Sequence, residues 1–170
     1  RAVATYYLHE RERYFVSDIT LNSADSVLSS YIDFSSEESF LRPGMPFSVD
    51  GMEHERNRLT KLFKDKGYYR FQKDYITFTA DTTHYSNNVN LTMNIALPVY
   101  STADSVVMHK EYRIGNIYYV CGVGMRYDDE VLSKCDTLNY HGYNIIYKGN
   151  TIVRPGVLVE NTFFQPGEIY

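Results

Sequence analysis

The sequence predicts an α+β fold: a β-α-α-β-β unit whose three-stranded sheet carries two helices on one face, followed by a partial second unit. One observation is the order of hydrophobic patterns, which reads strand, helix, helix, strand, strand between residues 14 and 97. The other is an internal repeat, because an apolar pair, a polar residue, Pro-Gly, two residues and an aromatic residue occur at 40–47 and again at 163–170.

The first strand is predicted over residues 14–21, where Val16 and Ile19 are apolar and a break in the alternation indicates a bulge. A short helix follows, which Ser23 or Asp25 can cap. Its apolar residues fall on one helical face and are Val27, Leu28, Tyr31 and Ile32.

The second helix has the clearest signals in the chain. Asp50 and Glu53 have the spacing of a capping box, and Gly67 is placed to end the helix in the left-handed conformation. Acidic residues near its start and lysines near its end match the helix dipole. Its apolar stripe consists of Met52, Leu59, Leu62 and Phe63.

The two strands that close the unit show period-two patterns. Residues 75–81 place Ile76, Phe78 and Ala80 on one face and Tyr75, Thr77 and Thr79 on the other. Residues 89–97 alternate between two faces without interruption, and one of these faces is wholly apolar. A sheet with one apolar face needs a cover on that face, so both helices are predicted to lie there.

The repeat sets the predicted domain organisation. Residues 14–19 are echoed 98 positions later, whereas the Pro-Gly phrase returns 123 positions later, so the second unit carries 25 extra residues. We place this insertion near residues 121–150, as a hairpin or an extended loop. A short helix should then begin at Pro155 and carry Leu158, Thr162 and Phe163.

The predicted division runs in four parts along the chain. They are a tail strand of a preceding repeat in 1–11 (strand at 3–8), a complete domain at 12–100, a linker at 101–111 and a truncated second domain at 112–170. The chain begins with Arg1 and reads as an excerpt of a longer protein.

Composition and motif spacing exclude several classes of function. With 170 residues, 44% of them hydrophobic, the chain can build a core, and its net charge of -4 with dispersed Lys and Arg argues against nucleic-acid binding. No apolar run of about 18 residues predicts a membrane-spanning helix. A metal site from His109, Cys121, Cys135 and His141 lacks recognised ligand spacing. We therefore expect no enzyme, no cofactor and no metal.

Three short motifs carry a resemblance to a known family. They are PGMPFS at 43–48, Glu-Arg at 55–56 and GYYRF at 67–71. In this order, and repeated, they resemble POTRA domains, the polypeptide-transport-associated repeats that precede the outer-membrane barrel of Omp85-type, BamA- or TamA-like assembly proteins. The resemblance covers residues 14–97 as a whole unit and 112–170 as the front of another.

The resemblance implies a mixed sheet in which the strand after the second helix lies at an edge, beside the last strand in the middle. It implies a periplasmic, non-catalytic protein, attached to an outer-membrane barrel, that binds unfolded barrel proteins and accessory proteins by strand addition. In this sequence the edge is 75–81. The partner-binding residues would be Tyr75, Ile76, Thr77, Phe78 and Thr79.

Three alternatives stay open at this stage. Tyr75, Thr77 and Thr79 could be the solvated face of an ordinary edge strand. Cys121 and Cys135 could form a disulfide in an oxidising compartment. The chain could instead be an aromatic-rich module that binds glycans or proteins at a surface, since it has 17 tyrosines.

Overall fold

The computed structural model describes residues 3–7, 9, 12–83, 87–101, 105–124, 128–150 and 153–170. The chain divides into two compact units, unit 1 (Arg1–Lys110) and unit 2 (Glu111–Tyr170). Unit 1 contains β1 (Phe15–Ser23), α1 (Ser26–Phe34), α2 (Val49–Asp65), β2 (Ile76–Asp81) and β3 (Asn88–Ile95), with 3-10 turns at Ser36–Glu38 and Lys73–Tyr75. Unit 2 contains β4 (Ile117–Cys121), α3 (Asp129–Leu132), β5 (Asp136–Tyr140), β6 (Tyr143–Tyr147) and α4 (Pro155–Glu160).

The sheet of unit 1 is mixed and has the strand order β1-β3-β2. β1 runs parallel to β3, and β2 runs antiparallel to it. The register of β1 shifts between Val16 and Asp18, where the broken alternation predicts a bulge. The predicted α+β fold class is confirmed, with the last strand in the middle of the sheet.

The first helix is capped by Asp25, one of the two predicted candidates. Its carboxylate accepts hydrogen bonds from the backbone N–H groups of Val27 and Leu28 at 3.1 and 3.2 Å. The other candidate, Ser23, accepts from the N–H of Asp25 at 3.1 Å. Both side chains therefore hold the entry to α1, but only Asp25 satisfies helical donors.

The start of α2 differs from the predicted capping box. The N-cap is Ser48, whose hydroxyl accepts from the N–H of Gly51 at 3.1 Å. Glu53 does not turn back to the cap, because its carboxylate pairs with Lys73 and Arg56. The predicted stop is confirmed, since Gly67 follows the helix with φ of +88°.

The core of unit 1 forms between the two helices and one face of the sheet. Its aromatic part includes Phe63 and Phe71, whose ring centroids are 4.7 Å apart. Each fully buried apolar side chain contributes roughly 1.5–3 kcal/mol. The main buried cluster is Leu28, Leu59, Phe63, Tyr68, Phe71, Ile76, Met93 and Ile95.

A buried carboxylate anchors the loop before α2. Glu55 is 2% exposed, and its Oε2 accepts from the N–H of Phe40 at 2.8 Å. Arg58 donates to the same carboxylate from Nη2 at 2.6 Å and from Nε at 3.1 Å. The charge is thus paired and hydrogen-bonded, as a buried charge must be.

That loop joins the first strand at a Pro-Gly junction. Gly44 has φ of +86°, and its N–H donates to the carbonyl of Val16 at 2.7 Å. The N–H of Val16 donates to the carbonyl of Met45 at 2.9 Å, and the N–H of Phe47 donates to the carbonyl of Tyr14 at 2.8 Å. The left-handed glycine lets the loop run antiparallel to the start of β1.

Unit 2 repeats this junction bond for bond. Gly167 has φ of +84°, and its N–H donates to the carbonyl of Ile114 at 2.7 Å. The N–H of Ile114 donates to the carbonyl of Glu168 at 2.8 Å, and that of Tyr170 to the carbonyl of Tyr112 at 3.1 Å. The sequence repeat is therefore a repeat of backbone structure.

The predicted insertion is part of a sheet in unit 2. Within the described residues of 121–150, which exclude 125–127, a hairpin of β5 and β6 joins β4 in the order β4-β6-β5. Its turn lies at His141 and Gly142, both with positive φ. β4 and β6 are parallel, so the strand arrangement of unit 1 recurs here.

Two other predicted elements need correction. The helix that begins at Pro155 ends at Glu160, so Thr162 and Phe163 lie beyond it. The predicted strand at 3–8 is not formed over residues 3–7, and Leu8 lies outside the described residues. Tyr6 and Tyr7 are exposed, and a strand without a partner strand cannot satisfy its backbone groups. In the described parts of the chain, no helix has the length and apolarity needed to cross a membrane.

Candidate functional site

The candidate site of unit 1 is the outer edge of β2. The N–H of Ala96 donates to the carbonyl of Tyr75 at 2.8 Å. This bond shows which residues of β2 direct their backbone groups toward β3. Backbone groups alternate in direction along such a strand, so those of Ile76, Phe78 and Ala80 point away from β3. Among the described residues, no strand pairs with this edge.

An apolar groove runs beside this edge, between β2 and the first turns of α2. Its volume is about 200 Å³. Val49 is 73% exposed and Phe78 is half-buried, so the groove is open to a ligand while one side rests on the core. The lining residues are Phe47, Val49, Met52, Glu53, Arg56, Phe78 and Ala80.

Charged side chains hold the two walls of the groove together. Glu53 on α2 pairs with Lys73, just before β2, and with Arg56 at 3.1 Å. Arg56 also donates to the carbonyl of Lys73 at 3.1 Å and pairs with Asp74 at 3.4 Å. The hydrogen bond from Lys73 lowers the pKa of Glu53, so this carboxylate is charged at neutral pH.

The predicted site residues fall into three environments. Ile76 is fully buried and Phe78 half-buried in the core face, while Thr77 and Thr79 are exposed on the opposite face. Tyr75 does not belong to the strand or to a solvated face, because it ends a 3-10 turn and packs on the core.

A second aromatic contact explains the position of Tyr75. The ring of His109 lies 4.8 Å from that of Tyr75 and 4.9 Å from that of Phe71, between centroids. Its Nε2 hydrogen-bonds the carbonyl of Ala96 at 3.0 Å. His109 is thus held by aromatic rings and backbone, and no metal-ligand role follows from its surroundings.

Of the residues that line the groove, only Phe78 was among the partner-binding residues predicted from the sequence. Phe47 and Val49 lie before and at the start of α2, and Met52 was taken only as part of the helix stripe. The signal that could have identified this side of the groove is Val49, an exposed valine at the first position of a charged helix.

Unit 2 has its own apolar groove, of about 370 Å³, lined by Tyr119 of β4, by α4 and by the segment that follows α4. The hydroxyl of Tyr119 lies against Thr162 and donates to the carbonyl of Leu158 at 3.4 Å. Burial, and then the neighbouring Tyr143, raise the pKa of Tyr119. Phe163 is 98% exposed on the rim.

The cysteines and acidic residues build no metal site in the described parts of the chain, where no cluster of three or more His, Cys, Asp or Glu occurs. Cys121 and Cys135 are both free. Cys121 and Asp136 align with Tyr147 from opposite sides of β6. Two strand spacings, roughly 10 Å, therefore separate Cys121 from Asp136, the residue that follows Cys135. A disulfide needs Cα atoms within about 7 Å of each other.

No protein-family model and no curated protein matches the sequence. One similar solved structure, POTRA1-2 of the periplasmic domain of Omp85 from Anabaena, is 6% identical with a TM-score of 0.36 and covers 81% of this chain and 96% of its own. Another, the N-terminal domain of Omp85 from the thermophilic cyanobacterium Thermosynechococcus elongatus, is 9% identical with a TM-score of 0.32 and covers 95% and 81%. The order β-α-α-β-β and the central last strand of unit 1 are the arrangement that the sequence motifs imply, so its fold is POTRA-like.

Proposed function

We propose that unit 1 binds an extended polypeptide segment as an added strand on β2. In this proposal the chain belongs to the periplasmic part of an Omp85-type factor for outer-membrane protein assembly or translocation. Its partners are unfolded β-barrel proteins and assembly accessory proteins. The observation that carries the proposal is the edge of β2, with which no strand of the described residues pairs, beside an apolar groove.

Strand addition suits partners of varied sequence, because it uses backbone groups. The N–H and C=O groups of Ile76, Phe78 and Ala80 offer six hydrogen-bonding partners. Each bond contributes about 0.5–1.5 kcal/mol, and ordering an unfolded segment offsets much of that gain. The apolar groove would take alternate side chains of the added strand, and the expected result is weak, sequence-tolerant binding.

We also propose that units 1 and 2 are successive repeats joined near residues 101–111, of which 102–104 lie outside the described residues. The duplicated Pro-Gly junction supports this reading. The second repeat differs by carrying the β5–β6 hairpin between its first strand and its junction.

The test compares Ala80→Pro with Ala80→Val in the full chain. Proline removes one outward N–H and places its ring where the added strand would lie, whereas valine keeps the N–H. Binding of fluorescent peptides, each spanning one strand of an outer-membrane porin, is measured by anisotropy. We expect Ala80→Pro to weaken binding by about tenfold or more, and Ala80→Val to leave it close to that of the parent chain.

Hydrogen exchange of β3 shows whether Ala80→Pro keeps unit 1 folded. A second variant, Val49→Asp, changes an exposed groove residue and should weaken binding of the same peptides without affecting the fold. Unchanged binding by a folded Ala80→Pro chain would remove the edge of β2 from the proposal. Unchanged binding by Val49→Asp would remove the groove.

A further inference from the structure

The face of the unit 1 sheet that points away from the helices has an unusual composition. The register places nine outward side chains in three rows across the three strands, and every one is Asp, Asn or Thr. On the central strand they are Asn90, Thr92 and Asn94, which alternate with buried Val89 and Leu91. Neither apolar nor basic residues occur among the nine.

Cross-strand hydrogen bonds hold these side chains in place. The hydroxyl of Thr20 lies 3.0 Å from that of Thr92. Asn22 donates to Asn94 at 2.9 Å, and Asn94 donates in turn to Thr79 at 3.0 Å. The polar groups are therefore pre-organised, which lowers the entropy that a bound ligand would have to offset.

Stability alone does not explain this choice of residues. Asn and Asp are depleted in strands because they favour turns, yet they hold five of the nine positions. Threonine is also polar enough for a solvated face, and it favours the strand conformation more than Asn or Asp does. Proteins break such local preferences mainly at functional surfaces, so this choice of residues favours a binding role for the face.

The charges of the face limit what can bind. Asp18 and Asp81 both align with Asn90 and are the only charged residues among the nine, so phosphate-rich or sulfated ligands would be repelled. The absence of apolar side chains among the nine gives a hydrophobic helix or a lipid surface nothing to bury. A neutral ligand with many hydroxyl groups has donors and acceptors that Asn, Asp and Thr side chains can all pair with.

One aromatic residue borders this array. Phe15 is 40% exposed, and because Val16 beside it is buried, Phe15 points to the polar side. Its register partner is Asn88, which extends the central row of polar residues. A phenyl ring at the edge of a polar array offers the apolar face of a sugar ring a surface to stack on.

We propose that this face, the Asn/Thr face, binds a neutral glycan. It covers roughly 10 Å across the outer strands and roughly 14 Å along them, enough for a few sugar rings. The site is separate from the edge of β2, so it does not depend on strand addition. Its ligand is recognised by hydroxyl groups rather than by backbone pairing.

The test is a nuclear magnetic resonance titration of the full chain with neutral cello-oligosaccharides and N-acetylglucosamine oligomers, and with a sulfated oligosaccharide as the anionic control. We expect at least one neutral oligomer to shift the side-chain amide signals of Asn22, Asn90 and Asn94 at millimolar concentration. The sulfated oligomer should leave them unchanged.

The matched variant is Asn90→Thr combined with Asn94→Thr. It should stay folded, since threonine is the better strand former and offsets the lost cross-strand bonds of Asn94, yet bind about tenfold more weakly. Ala80→Pro should bind the glycan as the parent does. The proposal is overturned if no neutral oligomer shifts these amides, if the double variant binds equally well, or if light scattering shows that the face instead pairs two copies of the chain.

Discussion

Replacing Glu55 by alanine is expected to destabilise unit 1 strongly. The carboxylate accepts three hydrogen bonds, one from the backbone of Phe40 and two from Arg58. Its removal leaves the guanidinium of Arg58, 13% exposed, without its main counter-ion. The N–H of Phe40 also loses its acceptor, so the loop before α2 loses its anchor on the helix.

The cost follows from the burial of this pair. Removing one partner of a buried ion pair costs about 3–5 kcal/mol, because the other charge stays desolvated. The part-buried N–H of Phe40 also loses its acceptor, which adds a smaller cost. The opening free energy of unit 1 should fall by that amount, which corresponds to roughly a 150- to 5,000-fold rise in opening.

Hydrogen exchange with mass spectrometry measures this opening in the full chain. The peptide that covers β3 reports on unit 1, because β3 is its central strand. Thiol labelling of Cys121 and Cys135, both half-buried, reports on unit 2 in the same sample. Exchange of β3 should accelerate while labelling of the two thiols stays unchanged.

Two control variants separate burial from charge. Glu53→Ala removes a carboxylate that is 38% exposed from the same helix and should change β3 exchange little. Glu55→Leu combined with Arg58→Met removes both buried charges and should recover most of the lost stability. If Glu55→Ala behaved like Glu53→Ala, the reasoning that ties the loop to this buried pair would be refuted.

Three further predictions concern the junctions and unit 2. Gly44→Ala and Gly167→Ala should each cost about 1–2 kcal/mol from backbone strain alone, since an added Cβ at either position meets nothing within 4 Å; exchange of β3 detects the first, thiol labelling the second, and no change in either would contradict the left-handed assignment. Tyr143→Phe removes the 3.0 Å hydrogen bond to the carbonyl of Phe164 and should cost about 1 kcal/mol, seen as faster labelling of the unit 2 thiols. Because the pKa of Tyr119 is raised, its protonated hydroxyl contributes stability to unit 2 that is fully present below about pH 10 and is lost as the pH rises through the raised pKa; an unaltered alkaline profile in Tyr119→Phe would count against this.

Local patterns predicted the elements whose causes are local. The bulge in β1, the stop at Gly67 and the alternation of β2 and β3 depend on neighbouring residues, so the sequence alone determines them. The N-cap was misplaced because Ser48 and Asp50 are both good caps. Glu53, which would complete the box with Asp50, pairs instead with Lys73 across the fold.

The candidate site was predicted in part for the same reason. Alternation identified β2 as a strand, and the family resemblance made it an edge. Alternation also put Tyr75 on the solvated side, because the aromatic contact from His109, far along the chain, is invisible to it. The rows of the Asn/Thr face could not be predicted either. They depend on the register between three strands, and no single stretch of sequence contains that register.

The duplicated junction has a consequence for how such units can vary in length. Residues 16 and 44 are 28 positions apart, while their counterparts 114 and 167 are 53 apart. Nearly doubling a closed loop costs only about 0.6 kcal/mol, less than the three backbone bonds of the junction contribute together. The stretch between the first strand and the junction is therefore a natural insertion point, where a hairpin has entered unit 2 and where a foreign segment could be grafted into unit 1.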